Sequence, residues 1–333
     1  MKEIVFVNGK TARKRMNILG GARRPFLFFI DYTMENIYIE QIEDIDQKKI
    51  LFDLNGFSNI LREEENPFRA DQFYWQTSPP SFDVYLRSFN IVKEHLRYGN
   101  SFLTNLTGRT LVDTNLSLKE LFYLTSARYK LWVKDYFTVF SPEPFIRIEK
   151  GKISSYPMKG TIDASIDNAC ECLQNNPKEM AEHATIVDLI RNDLSKIATE
   201  VRVLNYRYME KIQTVNGDMW ESSSEIQGSL LEGYESMLGD ILFEMLPAGS
   251  ITGAPKNKTI AIINEAEESN RGFYTGVCGY YDGEKLDSAV MIRFVEEAPD
   301  GHLYFHSGGG ITFQSDPENE YKELILKTNV PFC

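Results

Sequence analysis

Cysteine and histidine are scarce in this 333-residue chain, with four of each. The four cysteines, at positions 170, 172, 278 and 333, have a spacing that matches neither a zinc site nor a disulfide framework. No apolar run approaches the roughly 20 residues that span a bilayer, and the segment MKEIVFVNGKTARKR lacks the apolar stretch of a secretory signal. We therefore expect a cytoplasmic protein that does not bind a membrane.

Positive charge is also scarce. The chain has 36 Lys and Arg against 48 Asp and Glu, which gives a net charge of -12 at pH 7. Nucleic acid and anionic membranes are bound through positive surfaces, so neither is expected as a partner. The sequence has no G-x-G-x-x-G after a strand and no P-loop lysine, which sets nucleotide chemistry aside. An anionic substrate would need a local set of donors or a metal ion.

Capping signals and apolar spacing predict the helices. Apolar residues recur at helical spacing through 82–98, and Gly99 follows where a C-cap belongs. Asn176-Pro177 and Asp316-Pro317 each place a capping side chain before a proline at the first helical position. We predict helices over 82–98, 177–198, 234–245, from Pro255 onward, and over 317–328.

Turn signals separate the predicted strands. A strand at 26–30 begins a hairpin-like stretch to about residue 54, and 59–80 is interpreted as a loop. Antiparallel strands at 276–281, 286–296 and 302–306 are joined by Asp-Gly and Pro-Asp-Gly turns. Hairpins with segregated helices predict an α+β fold. We expect a large single catalytic domain of antiparallel sheets flanked by helices over 81–333, with 1–80 as a short strand and hairpin segment packed on it.

Two pairs of glutamates share a spacing of three residues near the start of a predicted helix. They are Glu179 with Glu182, beside His183, and Glu320 with Glu323. Residues three apart lie on the same side of a helix. Two such pairs facing each other would offer oxygens to a hard divalent cation such as Mg²⁺. Either pair alone has a simpler explanation, because the helix macrodipole favours acidic residues in the first turn.

Three further segments could hold an anion. The loop 247–256 offers backbone N–H groups and the hydroxyls of Ser250 and Thr252. Glycines 308–310 follow a predicted strand and would let a ligand approach the backbone. Arg293 lies in an apolar strand pattern, where a substrate carboxylate could be its partner. The alternatives are a plain helix connection, a turn and an outward-facing polar residue.

A lysine and a glutamate complete the candidates. Lys159 stands in Pro-Met-Lys-Gly-Thr after a predicted strand, and it could act as a nucleophile if it were held as a neutral amine. Glu143, in Ser-Pro-Glu-Pro, lies upstream and could act as a general acid. Taken alone, a lysine in such a segment is more often simply solvated.

Taken together, these segments resemble the chorismate-utilising enzymes. That family includes anthranilate synthase component I, aminodeoxychorismate synthase component I, and the isochorismate and salicylate synthases. The matching blocks occur in the family's order from about residue 82 to the C-terminus. They lie at 141–145, 157–161, 182–194, 249–256, 271–276, 308–311 and 316–323.

The residue at position 159 distinguishes the branches of that family. The aminodeoxychorismate synthases have a lysine there, whereas the anthranilate and isochorismate branches usually have an alanine. The water-adding branch also has a base lysine where this chain has Leu103. The resemblance therefore implies amination of chorismate to 4-amino-4-deoxychorismate, on the route to 4-aminobenzoate and folate. The alternatives are an anthranilate synthase component I-like enzyme and a non-catalytic chorismate-binding relative.

The resemblance also implies a role for each candidate. Lys159 adds covalently at ring carbon 2, Glu143 protonates the departing 4-hydroxyl, and ammonia then adds at carbon 4. Mg²⁺ is held by Glu182 and Glu323, with Glu179 and Glu320 close by or acting through water. The carboxylates of chorismate are held by Thr252, Tyr274, Arg293, Gly309 and Gly310.

Three further expectations concern partners and departures from the family pattern. No cysteine stands in a Gly-x-Cys-x-Gly elbow, so ammonia is expected from a separate glutamine amidotransferase subunit or from solution. The N-terminal part is short for the family, so tryptophan binding is not expected. Glu221 stands where many relatives have a histidine linked with pyruvate elimination. That replacement agrees with an enzyme that stops at the aminated intermediate.

Overall fold

The computed structural model describes residues 4–60, 73–214, 217–328 and 330. The helices are α1 (Gly9–Gly21), α2 (Phe82–Arg97), α3 (Leu118–Leu124), α4 (Ala169–Gln174), α5 (Pro177–Leu194), α6 (Leu238–Met245), α7 (Gly249–Thr252), α8 (Lys256–Ala266) and α9 (Pro317–Leu326), with short 3-10 helices at Ile42–Asp44 and Tyr234–Met237.

The strands of the first half are β1 (Phe26–Ile30), β2 (Ile37–Gln41), β3 (Ile50–Leu54), β4 (Phe57–Ser58), β5 (Trp75–Ser78), β6 (Leu103–Thr114), β7 (Tyr129–Val133), β8 (Phe137–Ser141), β9 (Pro144–Glu149), β10 (Lys152–Ser155) and β11 (Met158–Asp163). Those of the second half are β12 (Thr199–Thr214), β13 (Gly217–Ser229), β14 (Gly253–Ala254), β15 (Val277–Tyr281), β16 (Leu286–Val290), β17 (Phe294–Glu297) and β18 (Leu303–Ile311).

Internal contacts divide the chain into two compact units, each assembled from three stretches. The first unit comprises Met1–Asp44, Glu143–Ala254 and Thr275–Val290, and the second comprises Ile45–Pro142, Pro255–Tyr274 and Met291–Cys333. This division has no boundary at residue 80. The N-terminal segment over 1–80 therefore stays a prediction.

The first unit is built on an antiparallel sheet. Its strands follow the order β11-β13-β10-β9-β16-β15-β1-β2, and β12 pairs along β13. Every residue of β1 is buried, because both neighbouring strands and packed side chains cover this aromatic segment. Helix α1 packs closely on α6, since a Cβ at Gly239 would lie 2.3 Å from the carbonyl oxygen of Arg13. Helix α5 packs against β11, β12 and β13.

The second unit has its own antiparallel sheet with helices packed on it. Strands follow the order β6-β18-β17-β8-β7-β3-β4, and β5 pairs with β6. Helices α2, α8 and α9 share an apolar cluster with β6 and β18 that includes Tyr85, Phe89, Ile262, Ile311 and Leu324. Burial of such side chains contributes about 25 cal/mol for each Å² of apolar surface. This cluster therefore fixes α9, which carries one of the glutamate pairs.

Much of the predicted architecture is confirmed. The α+β class, the antiparallel sheets and the strand at 26–30 all appear. Helix α2 begins after the N-cap Ser81 and is followed by Gly99 at φ +73°. Asn176 and Asp316 cap α5 and α9 as predicted. Among the described residues, no helix is long and apolar enough to cross a membrane.

Several predictions about single elements are wrong. Residues 50–54 form a strand that pairs with β7, so they do not continue the β1–β2 hairpin. Part of the predicted loop 59–80 is strand β5, because its half-buried side chains alternate along the edge of β6; residues 61–72 of that loop lie outside the described residues. Helix α5 ends at Leu194 and α9 at Leu326, each a few residues early, where the last carbonyls are capped by the following turn. The predicted helix 234–245 begins as a 3-10 turn.

Two corrections change the surroundings of candidate residues. The predicted strand 286–296 is broken into β16 and β17, because Arg293 adopts the left-handed conformation at φ +53°. The two halves then join different sheets. Glycines 308–310 do not follow a strand but lie inside β18, where they pair with Asn105 to Thr107 of β6.

Candidate active site

Lys159 lies in a β-bulge of the first unit. Met158 pairs with Ser223 of β13, and Thr161 pairs with Glu221, so Lys159 and Gly160 together oppose the single residue Ser222. A bulge leaves the extra residue unpaired and turns its side chain away from the regular alternation. Lys159 is therefore held on a structured strand and yet is set apart from the ladder.

The bulge lies directly under a carboxylate of α5. Gly160 has φ +81°, and a Cβ built on it would lie 2.8 Å from Oε2 of Glu179. Only a residue without a side chain allows this approach at this backbone conformation. The fold therefore brings Glu179 to the lysine segment, a proximity that the separation of the two residues in sequence does not reveal.

The capped start of α5 orients its glutamate pair. The side chain of Asn176 accepts hydrogen bonds from the backbone N–H groups of Lys178 and Glu179 at 3.0 and 3.3 Å. Glu182, one turn later, is buried, and its Oε1 lies 3.9 Å from Nζ of Lys178. The two carboxylates share one face of the helix, as predicted.

His183 is a buried imidazole that links α5 to β13. Its Nε2 lies 2.6 Å from Oγ of Ser224, and that Oγ also accepts a hydrogen bond from the backbone N–H of Arg207. Burial, then the positive charges of Arg207 and Lys159, lowers the pKa of His183 to about 4. The ring is therefore neutral near pH 7. Sequence reasoning noted His183 but missed its bond to Ser224, although the run Glu-Ser-Ser-Ser at 221–224 was a visible departure from the family pattern.

Glu143 precedes β9 in the same unit, and its carboxyl group accepts a hydrogen bond from Ser250 of α7. Ser250 donates a hydrogen bond to Oε1 of Glu143 at 2.5 Å. Thr252 is fully buried, and its hydroxyl donates to the carbonyl oxygen of Ala248 at 2.9 Å. The hydroxyl of Ser250 therefore contacts a carboxyl group, and the hydroxyl of Thr252 contacts a carbonyl of its own helical turn.

The second glutamate pair lies over the glycines of β18 in the second unit. A Cβ built on Gly309 would lie 3.6 Å from Oε1 of Glu323 and 3.7 Å from Oε2 of Glu320. Glu320 is buried, and Nζ of Lys327 lies 2.7 Å from Oε1 of Glu323. Burial and the negative charges of Glu320 and Glu323 raise the pKa of Tyr85. The fold of this unit therefore brings Gly309 close to the pair Glu320 and Glu323, a proximity that the sequence did not predict.

Arg293 and Tyr274 also belong to the second unit. Nη1 of Arg293 donates to the carbonyl oxygen of Lys327 at 2.7 Å, at the C-terminal end of α9. Tyr274 is buried, with its ring centroid 4.9 Å from that of His306. Gly310 pairs with Asn105 on β6.

Within the described ranges, no three His, Cys, Asp or Glu side chains lie closely enough together to hold a metal ion.

An ion pair that sequence reasoning gave no role is buried in the second unit. The Nη2 of Arg271 donates to Oε1 of Glu267 at 2.6 Å and to the carbonyl oxygen of Asn105 at 2.6 Å. Glu267 also accepts from the backbone N–H and the hydroxyl of Thr107 at 2.9 Å. This network fixes the end of α8 against β6, the strand that pairs with the glycines of β18.

Breaking that ion pair should destabilise the fold. Replacing Arg271 by alanine leaves a buried carboxylate without its counterion, which costs about 3–5 kcal/mol of unfolding free energy. Arg87, whose pair with Glu268 is exposed at both ends, is the matched control, and Arg87→Ala should change stability by less than about 0.5 kcal/mol. Urea unfolding of both variants measures the difference. Equal stabilities would show that the buried pair is not structural.

The sequence of this chain is similar to those of several known proteins. A family model described as chorismate binding enzyme matches residues 24–332. An uncharacterized PabA-like protein of Haemophilus influenzae is 45% identical over 318 residues, which is 96% of this chain and 95% of that protein. Aminodeoxychorismate synthase component 1 of Bacillus subtilis is 31% identical over 80% of this chain and 58% of its own length. Anthranilate synthase component 1 of Acetivibrio thermocellus is 33% identical over 75% of this chain and 52% of its own length.

Among solved structures, the fold is similar to that of MenF, the menaquinone-specific isochorismate synthase of Escherichia coli. The TM-score is 0.76 at 14% sequence identity, with 98% of this chain and 83% of that chain covered. At that identity the likeness concerns the fold.

Proposed function

The chain belongs to the family of chorismate-binding enzymes, and from this membership we propose that it replaces the 4-hydroxyl of chorismate with ammonia to give 4-amino-4-deoxychorismate. The observation that carries the proposal is Lys159 in its bulge, with the Glu179 carboxylate seated on Gly160 beside it. In the family, a lysine at this position is typical of the aminodeoxychorismate synthases, whereas the anthranilate and isochorismate branches usually have alanine there. Glu221, buried on β13 opposite Thr161, takes the place of the histidine linked with loss of pyruvate.

The first half of the reaction uses Lys159 and Glu143. The neutral amine of Lys159 attacks ring carbon 2, both ring double bonds shift, and the C4–O bond breaks, which leaves the positive charge on the lysine nitrogen. Glu143 gives its proton to the departing oxygen, because hydroxide is too poor a leaving group unaided. Water leaves, and the ring stays attached to Lys159. The hydrogen bond from Ser250 holds the carboxyl group of Glu143 in place for this transfer.

The second half of the reaction regenerates the neutral amine of Lys159 and the protonated carboxyl group of Glu143. Ammonia attacks carbon 4, both ring double bonds shift back, and the bond between carbon 2 and Nζ of Lys159 breaks. Lysine leaves as a neutral amine, and Glu143 takes the extra proton from the new ammonium group. The sum is chorismate plus ammonia giving aminodeoxychorismate plus water, with the enolpyruvyl ether intact.

The carboxylates of α5, and those of α9, are the type of donor that Mg²⁺ prefers. Glu182 and Glu320 are buried carboxylates, and Gly160 and Gly309 leave open the space that a Cβ would fill beside Glu179 and beside Glu320 and Glu323. Carboxylate oxygens with retained water are what this cation prefers. We assign Glu182 and Glu323 as ligands, with Glu179 and Glu320 close by or acting through water. When bound, the ion supplies positive charge for the ring carboxylate.

The remaining assignments concern substrate and partner. We propose that the carboxylates of chorismate are held by Thr252, Tyr274, Arg293, Gly309 and Gly310. Ammonia comes from a separate glutamine amidotransferase subunit or from solution, since no cysteine of the sequence stands in an amidase elbow. Added amidotransferase should therefore permit glutamine to replace ammonium salts.

Product analysis tests the proposal. The protein is incubated with chorismate, MgCl₂ and ammonium chloride, and products are separated and weighed. Aminodeoxychorismate that forms with Mg²⁺ and not with EDTA supports the proposal. Anthranilate, which fluoresces and has lost pyruvate, would assign the chain to the other aminating reaction. Isochorismate or unchanged chorismate would overturn amination.

The contact between Gly160 and Glu179 gives a sharper prediction. Gly160→Ala and Gly151→Ala both force alanine into a left-handed backbone, which costs each variant about 1 kcal/mol of unfolding free energy. Gly160→Ala should cost more than that, because its Cβ would also lie 2.8 Å from Cδ1 of Leu173. Gly151 has open surroundings at ordinary contact distance, whereas alanine at 160 displaces the Glu179 carboxylate. Chorismate turnover should fall about tenfold or more only in Gly160→Ala, because small displacements of positioning groups are costly. Equal turnover in both variants would remove Glu179 from the site.

A further inference from the structure

A small cavity of the first unit adjoins Glu143. Its volume is about 10 Å³, which admits about one water-sized molecule. Its lining includes Glu143, Ser250 and Tyr156, which have polar side-chain groups. It also includes the apolar residues Phe145, Ile190, Met245 and Ala248. None of the roles assigned so far uses this space.

One of the two carboxylates that line the cavity has a cationic partner. Asp193 also lines it, and its Oδ1 lies 2.9 Å from Nζ of Lys196. The hydroxyl of Tyr156 donates to Oε1 of Glu225 at 3.4 Å. The apolar wall disfavours an ion, because burying a charge without a partner is costly. The cavity therefore suits a small neutral molecule that can exchange a proton with Glu143.

We infer that this cavity is the ammonia subsite of the enzyme, in which one neutral ammonia molecule waits beside Glu143 for addition to carbon 4. The inference rests on the proposed function. In that reaction Glu143 meets two molecules of the same size in turn: the water that it creates by protonating the 4-hydroxyl, and the ammonia whose extra proton it accepts. A space for one such molecule requires that water leave before ammonia enters.

A subsite of this size also restricts the nucleophile. Water and ammonia are alike in size, and ammonia is the stronger nucleophile of the two. An amine larger than ammonia is excluded by the volume. The cavity therefore selects its nucleophile by size, and Glu143 accepts the proton that the nucleophile releases.

Filling the cavity tests the inference. Ala248 is buried at φ -58° and ψ 132°, a conformation open to valine, and Ala248→Val places two methyl groups in the space. The KM for ammonium should rise about tenfold or more, while the KM for chorismate stays within about twofold. Ala266→Val, at a buried alanine that does not line the cavity, is the control and should leave both constants unchanged. Circular dichroism checks that each variant is folded.

Enlarging the cavity provides an independent measurement. Met245→Ala should admit methylamine, so that the ratio of N-methylated to unmethylated product rises about tenfold at fixed amine concentrations. Unchanged ammonium KM in folded Ala248→Val, or an unchanged ratio in folded Met245→Ala, shows a structural cavity only and overturns the inference while amination stands. If the wild-type protein forms no aminated product, the proposed function and the inference fall together.

Discussion

Lys159→Ala should abolish any covalent attachment of substrate and lower aminodeoxychorismate formation by about a hundredfold or more, which corresponds to about 2.7 kcal/mol of activation free energy. Alanine removes the amine of Lys159, and without that amine one difficult substitution is no longer divided into two easier ones. Any residual product then comes from direct addition of ammonia. Initial rates at saturating chorismate and ammonium measure the effect.

The control for this variant is a second lysine of the same sheet. Lys152 is exposed on strand β10, which is separated from β11 by β13, and it donates to Oγ of Ser229. Lys152→Ala removes the same charge and should retain the wild-type rate. If Lys159→Ala also retains it, Lys159 is not the nucleophile.

Glu143→Gln should lower turnover by about 10²- to 10⁴-fold, the usual contribution of a general acid. Glutamine can still accept the hydrogen bond from Ser250, so the local geometry is kept while the transferable proton is lost. The loss should appear in kcat with little change in the KM for chorismate. Because the leaving group cannot depart, Lys159 should also fail to accumulate an adduct.

An exposed glutamate of the adjoining strand gives the matched comparison. Glu149 lies at the end of β9, the strand that follows Glu143. Glu149→Gln should leave kcat within about twofold of wild type. A Glu143→Gln enzyme that works as fast as Glu149→Gln would mean that another group protonates the 4-hydroxyl.

Local signals in the sequence predicted local structure well. Asn176-Pro177 and Asp316-Pro317 determine where α5 and α9 begin, because a capping side chain and a proline act within one turn of the helix. The glutamate pairs followed from helical spacing in the same way. The ends of these helices were predicted too late, since they depend on turns that the preceding pattern does not specify.

The arrangement of the site depends on contacts between distant segments, and these were not predictable. The bulge at Lys159 exists because β11 is out of step with β13 by one residue, and a single strand does not reveal its partner's register. Nothing in the spacing of Gly160 and Glu179 indicates that they touch. The continuous pattern at 286–296 concealed a break at Arg293, because both halves are apolar although they enter different sheets.

The family resemblance supplied what physical patterns alone could not. Lys159, Glu143 and the four glutamates each had a simpler structural explanation, and only the ordered blocks joined them. The fold then adds contacts that the blocks do not contain. Examples are Ser250 on Glu143, Ser224 on His183, and both second-unit glutamates over Gly309.

The most direct measurement is the mass of the intact protein after incubation with chorismate and Mg²⁺ in the absence of ammonia. The first half of the reaction should then proceed and stop. The account predicts a protein heavier by chorismate less one water, with the added mass on the peptide that contains Lys159. An unmodified protein that nevertheless forms aminodeoxychorismate once ammonium is added, or an adduct on another residue, would contradict it.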